Sequence, residues 1–128
     1  MKVSDLHQHP HQLFTAQAQE TLEEAADRLS WHQVGALPVF EGQQLVGIFT
    51  ERDLTVALAD GADPARTPVS DYMTTAPTVL GPDSELAEAA HTMLALGVRH
   101  LPIVRGGRLV GVLSIRDLLD AEVALARG

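Results

Sequence analysis

The chain repeats itself, and that repeat limits the possible folds more than any other feature. At an offset of 64 residues, 19–54 falls on 83–118 without a gap, and fourteen of the 36 positions are identical. Leu22/Leu86, Ala25/Ala89, Val34/Val98, Pro38/Pro102, Gly47/Gly111 and Asp53/Asp117 are among them. At an offset of 66, Val3-Ser4-Asp5 falls on Val69-Ser70-Asp71, so both halves open on the same tripeptide. Self-similarity on this scale means one supersecondary unit used twice. It predicts a first repeat over 1–65 and a second over 66–128, related by a pseudo-two-fold axis and acting as one module.

Each half reads as the same series of elements. Thr78-Val79-Leu80 is a short extended piece before the turn Gly81-Pro82-Asp83, where Asp83 or Ser84 can cap a helix. Leu86, Ala89, Ala90, Met93 and Leu94 recur at three and four residues, the apolar face of a helix running to about Leu96. Its first-half equivalent uses Leu22, Ala25, Ala26 and Leu29. Strands follow over 98–104 and 109–113, joined by the tight turn Gly106-Gly107, and over 34–40 and 45–49, joined at Glu41-Gly42-Gln43. Ser114-Ile115-Arg116-Asp117 and Thr50-Glu51-Arg52-Asp53 each open a second helix, and Asp60-Gly61-Ala62-Asp63-Pro64 breaks the chain between halves. The fold class is α/β (α+β): two β-α-β-β-α motifs whose sheets share a core covered by helices.

Composition removes several functions. Lys and Arg number 9 against 17 Asp and Glu, a formal charge of 9 − 17 = −8, which repels nucleic-acid phosphates and anionic membranes. Cysteine is absent, which excludes disulfides, thiolate metal sites and cysteine nucleophiles and fits a cytoplasmic setting. The single lysine is Lys2, so no P-loop or Schiff-base lysine exists. No apolar run is long enough to span a membrane or to resemble a signal segment.

The ordered, duplicated set resembles a tandem pair of cystathionine β-synthase (CBS) domains, the Bateman module. The residues that carry the resemblance are the Ala-Ala pair of each first helix, Leu37-Pro38-Val39 and Leu101-Pro102-Ile103, and the Leu-Val-Gly of each returning strand. Thr50–Asp53, Ser114–Asp117 and Val69-Ser70-Asp71-Tyr72-Met73-Thr74 complete it, and the match covers about residues 3–126. In the first half, His7-Gln8-His9-Pro10-His11 stands where Met-Thr would follow the tripeptide. The resemblance implies a stand-alone regulatory module, not an enzyme and with no required cofactor. It would sense an adenosine-containing molecule (AMP, ADP, ATP or S-adenosylmethionine) in a cleft between repeats, and a regulated protein would read the change.

Two readings of the Ser/Thr-x-x-Asp steps stand side by side. Such a step is a helix-capping box. It also places a hydroxyl, free amide groups and a carboxylate at the positive end of a helix, which suits a ribose phosphate. The resemblance assigns Asp117 to the ribose and Ser114 to phosphate. Arg99 and His100 lie where the family carries basic residues for phosphate, and a guanidinium fork matches that group. Gly35 and Ala36 are their uncharged first-half counterparts. One implied cleft gathers Asp117, Ser114, Val112, Arg99 and His100, with Phe14, Val34 and the Gly35 backbone flanking adenine. The other gathers Asp53, Thr50 and Ile48, with Thr78 and Val98 around the base. The first is expected to take a phosphorylated adenosine; the second binds weakly or takes an uncharged group.

Other features carry less. His7, His9 and His11 have the alternation of strand ligands for zinc or nickel, but an exposed terminal tract without metal is the expectation, and no metal ligands are assigned. A metal-dependent hydrolase built on that tract is a remote alternative. Met93 and Trp31 read as core or interface residues, and Arg52 and Arg116 as solvent-facing or ion-paired. Leu118, Leu119, Ala121, Val123, Ala124 and Leu125 make the last helix apolar on more than one face, which suggests a homodimer. The main alternative to the sensor is a dimerising interaction module that binds no nucleotide.

Overall fold

A computed structural model describes residues 1–6 and 13–127, apart from the side chains of 125 and 127. The elements are β1 (Ala16–Gln17), α1 (Leu22–His32), β2 (Ala36–Glu41), β3 (Gln44–Thr50), α2 (Glu51–Ala59), β4 (Thr74–Thr75), α3 (Leu86–Leu96), β5 (His100–Arg105), β6 (Arg108–Ser114) and α4 (Ile115–Arg127). This is the mixed α/β repeat expected from the sequence. The chain divides into two units, Phe14–Pro77 and Met1–Leu13 with Thr78–Gly128. Each opening tripeptide therefore belongs with the hairpin of the other repeat. Val69–Asp71 is a single 3-10 turn in the first of these units, and Val3–Asp5 is one in the second.

In the unit 14–77 the strand order is β1-β2-β3-β4. β2 and β3 pair antiparallel from Ala36↔Thr50 to Glu41↔Gln44, with a bulge between Val39 and Phe40. β1 adds parallel to β2, and β4 antiparallel to β3. α1 starts where the Thr21 hydroxyl accepts the Glu24 amide, with Glu23 and Glu24 at its positive end. It ends at Gln33, in the left-handed region at φ 54°. Leu22, Ala25 and Leu29 lie on the buried face and pack with Leu37, Val39 and Phe49, the largest fully buried side chain.

The other unit repeats the hairpin. β5 and β6 pair from His100↔Ser114 to Arg105↔Arg108, with the bulge at the equivalent place, between Ile103 and Val104. Gly106 and Gly107 both have positive φ, as a two-residue hairpin turn requires. The equivalent of β1 shrinks to one bridge, Leu80↔Ile103. Val3 is fully buried with Ala89, Met93, Leu101, Ile103 and Leu113, and its amide donates to the Ser84 carbonyl at 2.9 Å.

Several local expectations need correction. Neither Asp83 nor Ser84 caps α3. Glu85 holds the N-cap position without a side-chain hydrogen bond, so Asp83 and Ser84 lie before the cap, and the Leu86 amide donates to the Met1 carbonyl. Leu94 is 80% exposed and not part of the buried face, since the helix turns its Ala89–Met93 side inward. Trp31 is 84% exposed, which removes it from the core, whereas Met93 is core. Arg52 and Arg116 face solvent. His7, His9 and His11 lie outside the described residues.

Candidate functional site

Both Ser/Thr-x-x-Asp steps form reciprocal capping boxes. Asp117 Oδ2 accepts the Ser114 amide at 2.8 Å, and Ser114 Oγ accepts the Asp117 amide at 3.1 Å. Asp53 Oδ2 accepts the Thr50 amide at 2.9 Å, and Thr50 Oγ1 accepts the Asp53 amide at 3.2 Å. The carboxylate one turn into the helix is thereby fixed in direction. All four residues are half-buried, so each box meets solvent without being loose.

The hairpin register sets what stands beside each box. His100 is the cross-strand partner of Ser114, and the Arg99 carbonyl accepts the Ile115 amide at 2.8 Å. The end of β5, the end of β6 and the start of α4 are thus tied together. Arg99, His100, Ser114 and Asp117 share that corner, with Arg99 exposed and free of ion pairs among the described residues. Val112 is half-buried opposite Pro102, and Val98 packs on the core while Thr78 is exposed. Four chemistry-bearing groups at one helix start can hold a small anion together with a vicinal diol.

The equivalent corner of the unit 14–77 has the same backbone, with Gly35 and Ala36 in place of Arg99 and His100. Ala36 faces Thr50, and the Gly35 carbonyl accepts the Glu51 amide at 3.1 Å. Ile48 is buried between Pro38 and Thr74, and Val34 packs against the core. Phe14 stacks on His32, with ring centroids 3.6 Å apart and planes inclined by 12°. Arg28 donates to both Glu20 carboxylate oxygens at 2.7 and 2.9 Å and to the Thr15 carbonyl at 2.8 Å. These hydrogen bonds hold the Glu20 carboxyl at about 2, down from 4.5, against the opposing effect of its burial. Sequence reasoning passed over Arg28 and His32; their four-residue spacing on one helix is the signal that could have found them.

The CBS domain family model matches residues 3–60 and 69–124. CBS domain-containing protein YhcV of Bacillus subtilis is 38% identical over 108 residues, 84% of this chain and 76% of that protein. Other curated relatives are longer, the chain spanning 62, 38 and 58% of three of them. The CBS domain pair of protein MJ0100, solved in complex with 5-methylthioadenosine and S-adenosyl-L-methionine, superposes with a TM-score of 0.86. That pair is 26% identical, and the likeness covers 97% of each chain. CBSX2, solved in complex with AMP, gives a TM-score of 0.80 at 27% identity over 98% of each chain. The duplicated hairpins, the paired capping boxes and the two family matches lead to one conclusion: the chain belongs to the CBS domain family, as a tandem pair.

Proposed function

We infer that this chain is a regulatory module that binds an adenosine-containing molecule in a cleft between its two repeats, 1–65 and 66–128. The observation that carries the reading is the corner of Arg99, His100, Ser114 and Asp117, where a cation and a capped helix start coincide in one repeat alone. Two solved CBS pairs of 26 and 27% identity hold adenosine compounds. The Asp117 site takes a phosphorylated adenosine, with Asp117 on the ribose hydroxyls, Ser114 and Arg99 on phosphate, and Phe14, Val34, Gly35 and Val112 around the base. The Asp53 site, with Thr50, Ile48, Thr78 and Val98, has Gly35 and Ala36 where the other has Arg99 and His100, and takes an uncharged group or binds weakly.

The module acts by population shift rather than by catalysis, so its ligand must prefer one conformational state. It is cytoplasmic, with no nucleic-acid or membrane partner. The net charge of −8 supports this, and no helix among the described residues is long and apolar enough to cross a membrane. Ile115, Leu119 and Val123 are exposed at four-residue intervals along α4, a stripe that a second copy of the chain would cover. A regulated protein reads the ligand state.

A thermal-shift panel with AMP, ADP, ATP and S-adenosylmethionine tests the assignment. Ligand at 100 times its dissociation constant stabilises by about 2.7 kcal/mol, which raises the melting temperature by about 10 °C for a domain this size. The rise is expected to vanish in Asp117→Ala and to persist in Asp53→Ala, each compared with its own ligand-free baseline. Loss in Asp53→Ala alone would reverse the order of the sites. The absence of any rise in the folded protein would favour the nucleotide-free interaction module, which the use of both carboxylates as helix caps already supports.

A further inference from the structure

Charge is spread unevenly along this chain. The whole carries −8, yet the stretch 89–116 holds four Arg and neither Asp nor Glu. The matching stretch 25–52 sets two Arg against Asp27, Glu41 and Glu51. Two of the four Arg close the β5–β6 hairpin. Arg105 and Arg108 are direct cross-strand partners, both are exposed, and neither has an ion pair among the described residues. Like charges placed opposite each other destabilise a hairpin, and an anion seated between them relieves that repulsion. The pair closes the far end of the hairpin from His100↔Ser114, about 16 Å along the strand, so it is separate from the capped corner.

The first repeat shows what such a tip accepts. There Glu41 and Gln44 close the turn, and the Gln17 carboxamide sits on it. Gln17 Oε1 accepts the Gly42 amide at 3.1 Å, and Gln17 Nε2 donates to the Gly42 carbonyl at 3.2 Å. At the offset of 64, Gly42 becomes Gly106, whereas Gln17 becomes Gly81, which has no side chain to offer. Among the described residues nothing takes the Gly106 amide. The second tip thus presents an amide donor between two guanidinium groups, where the first holds a planar oxygen acceptor.

We propose that the tip of the β5–β6 hairpin, Arg105 to Arg108, docks a carboxylate-rich segment of a partner protein. A Glu or Asp carboxylate has the planar shape of the carboxamide seated on the first tip. It adds the negative charge that two unpaired arginines call for, and it matches a guanidinium fork. One exposed ion pair contributes little, so a segment with several carboxylates is needed to engage both arginines at once. A nucleic acid also carries negative charge, but it is repelled by a chain whose net charge is −8. Docking at this tip is independent of any nucleotide at the Asp117 corner.

Amide NMR titration of the isotope-labelled full chain with a hexaglutamate peptide tests this. The Gly106 amide signal is expected to shift to saturation, while that of Gly42, already hydrogen-bonded to Gln17, stays in place. Arg105→Gln combined with Arg108→Gln should weaken binding by about five- to ten-fold, the effect of two exposed ion pairs. Arg52→Gln combined with Arg66→Gln removes the same charge from exposed positions in the unit 14–77 and should leave binding unchanged. Signals from core amides report that each variant is folded. A Gly106 signal that does not move overturns the proposal. So does equal weakening in both double variants, because net charge alone would then account for binding. Inorganic phosphate or a thymidine decamer that saturates the Gly106 shift as tightly as the peptide overturns the assignment of a carboxylate partner.

Discussion

The unit of residues 14–77 and the unit built on Val3 and residues 78–127 carry the same hairpin and differ in what surrounds it. The first has four paired strands, Phe49 at its centre and a bidentate ion pair binding the approach to β1 onto α1. Among the described residues the second has two paired strands, Leu113 at the centre, and Ser84 and Thr92 where the ion pair would be. In exchange it has Arg99 and His100 where the first has Gly35 and Ala36. The hairpin with its bulge and capping box is common to both units. One has an ion pair at its edge, and the other has basic residues at its corner.

The largest test of this contrast is in the cores. Phe49→Ala is expected to cost about 3–5 kcal/mol and Leu113→Ala nearer the lower end of about 2–5 kcal/mol, measured by denaturant unfolding. Equal losses would mean that the two cores are equally filled. A finer test uses the repeated strand glycine. A Cβ on Gly47 would stand 2.6 Å from Met73 Sδ and 2.8 Å from the Thr74 carbonyl oxygen. Gly47→Ala should therefore destabilise by about 1–3 kcal/mol through overpacking against β4, measured by denaturant unfolding. An unchanged midpoint would mean that β4 gives way to the added methyl.

The smallest test is the ion pair. The Glu20 carboxyl titrates at about 2 in the folded chain and at 4.5 when unperturbed, so on acidification the unfolded chain takes up the proton first. The contribution of the pair is complete above pH 4.5 and is lost as pH falls towards 2. Arg28→Met should remove that acid-dependent slope and cost about 1–2 kcal/mol at neutral pH, since the pair is only partly buried. An unchanged slope of stability between pH 5 and 2, followed by circular dichroism, would assign the acid sensitivity to other carboxylates.

Much of this was legible in the sequence because the repeat supplied each pattern twice. The hairpins, the first helices and the Ser/Thr-x-x-Asp boxes were found within a residue or two of their bounds. The exposure of Leu94 was not, since the periodicity of α3 fits a buried stripe on either side of Met93. The start of α3 differs from its sequence pattern because Asp83 and Ser84 are favourable caps in isolation, whereas the helix begins one residue later, after Glu85. The exchange of opening tripeptides leaves no sequence signal at all. Val3-Ser4-Asp5 and Val69-Ser70-Asp71 are identical, so nothing in them distinguishes one hairpin from the other. The Phe14–His32 stack joins residues on separate elements, and residue spacing says nothing about such pairs.

Val3 has a consequence for the order of events on the ribosome. It is made before its burial partners, which run from Ala89 to Leu113 in the second half of the chain. The unit 14–77 is contiguous and can close as soon as it has left the exit tunnel, while the segment around Val3 waits without a core to enter. That segment is thus put in place after residues that follow it by more than eighty positions. A stall in translation before β6 would leave a finished unit flanked by an unplaced Val3 segment.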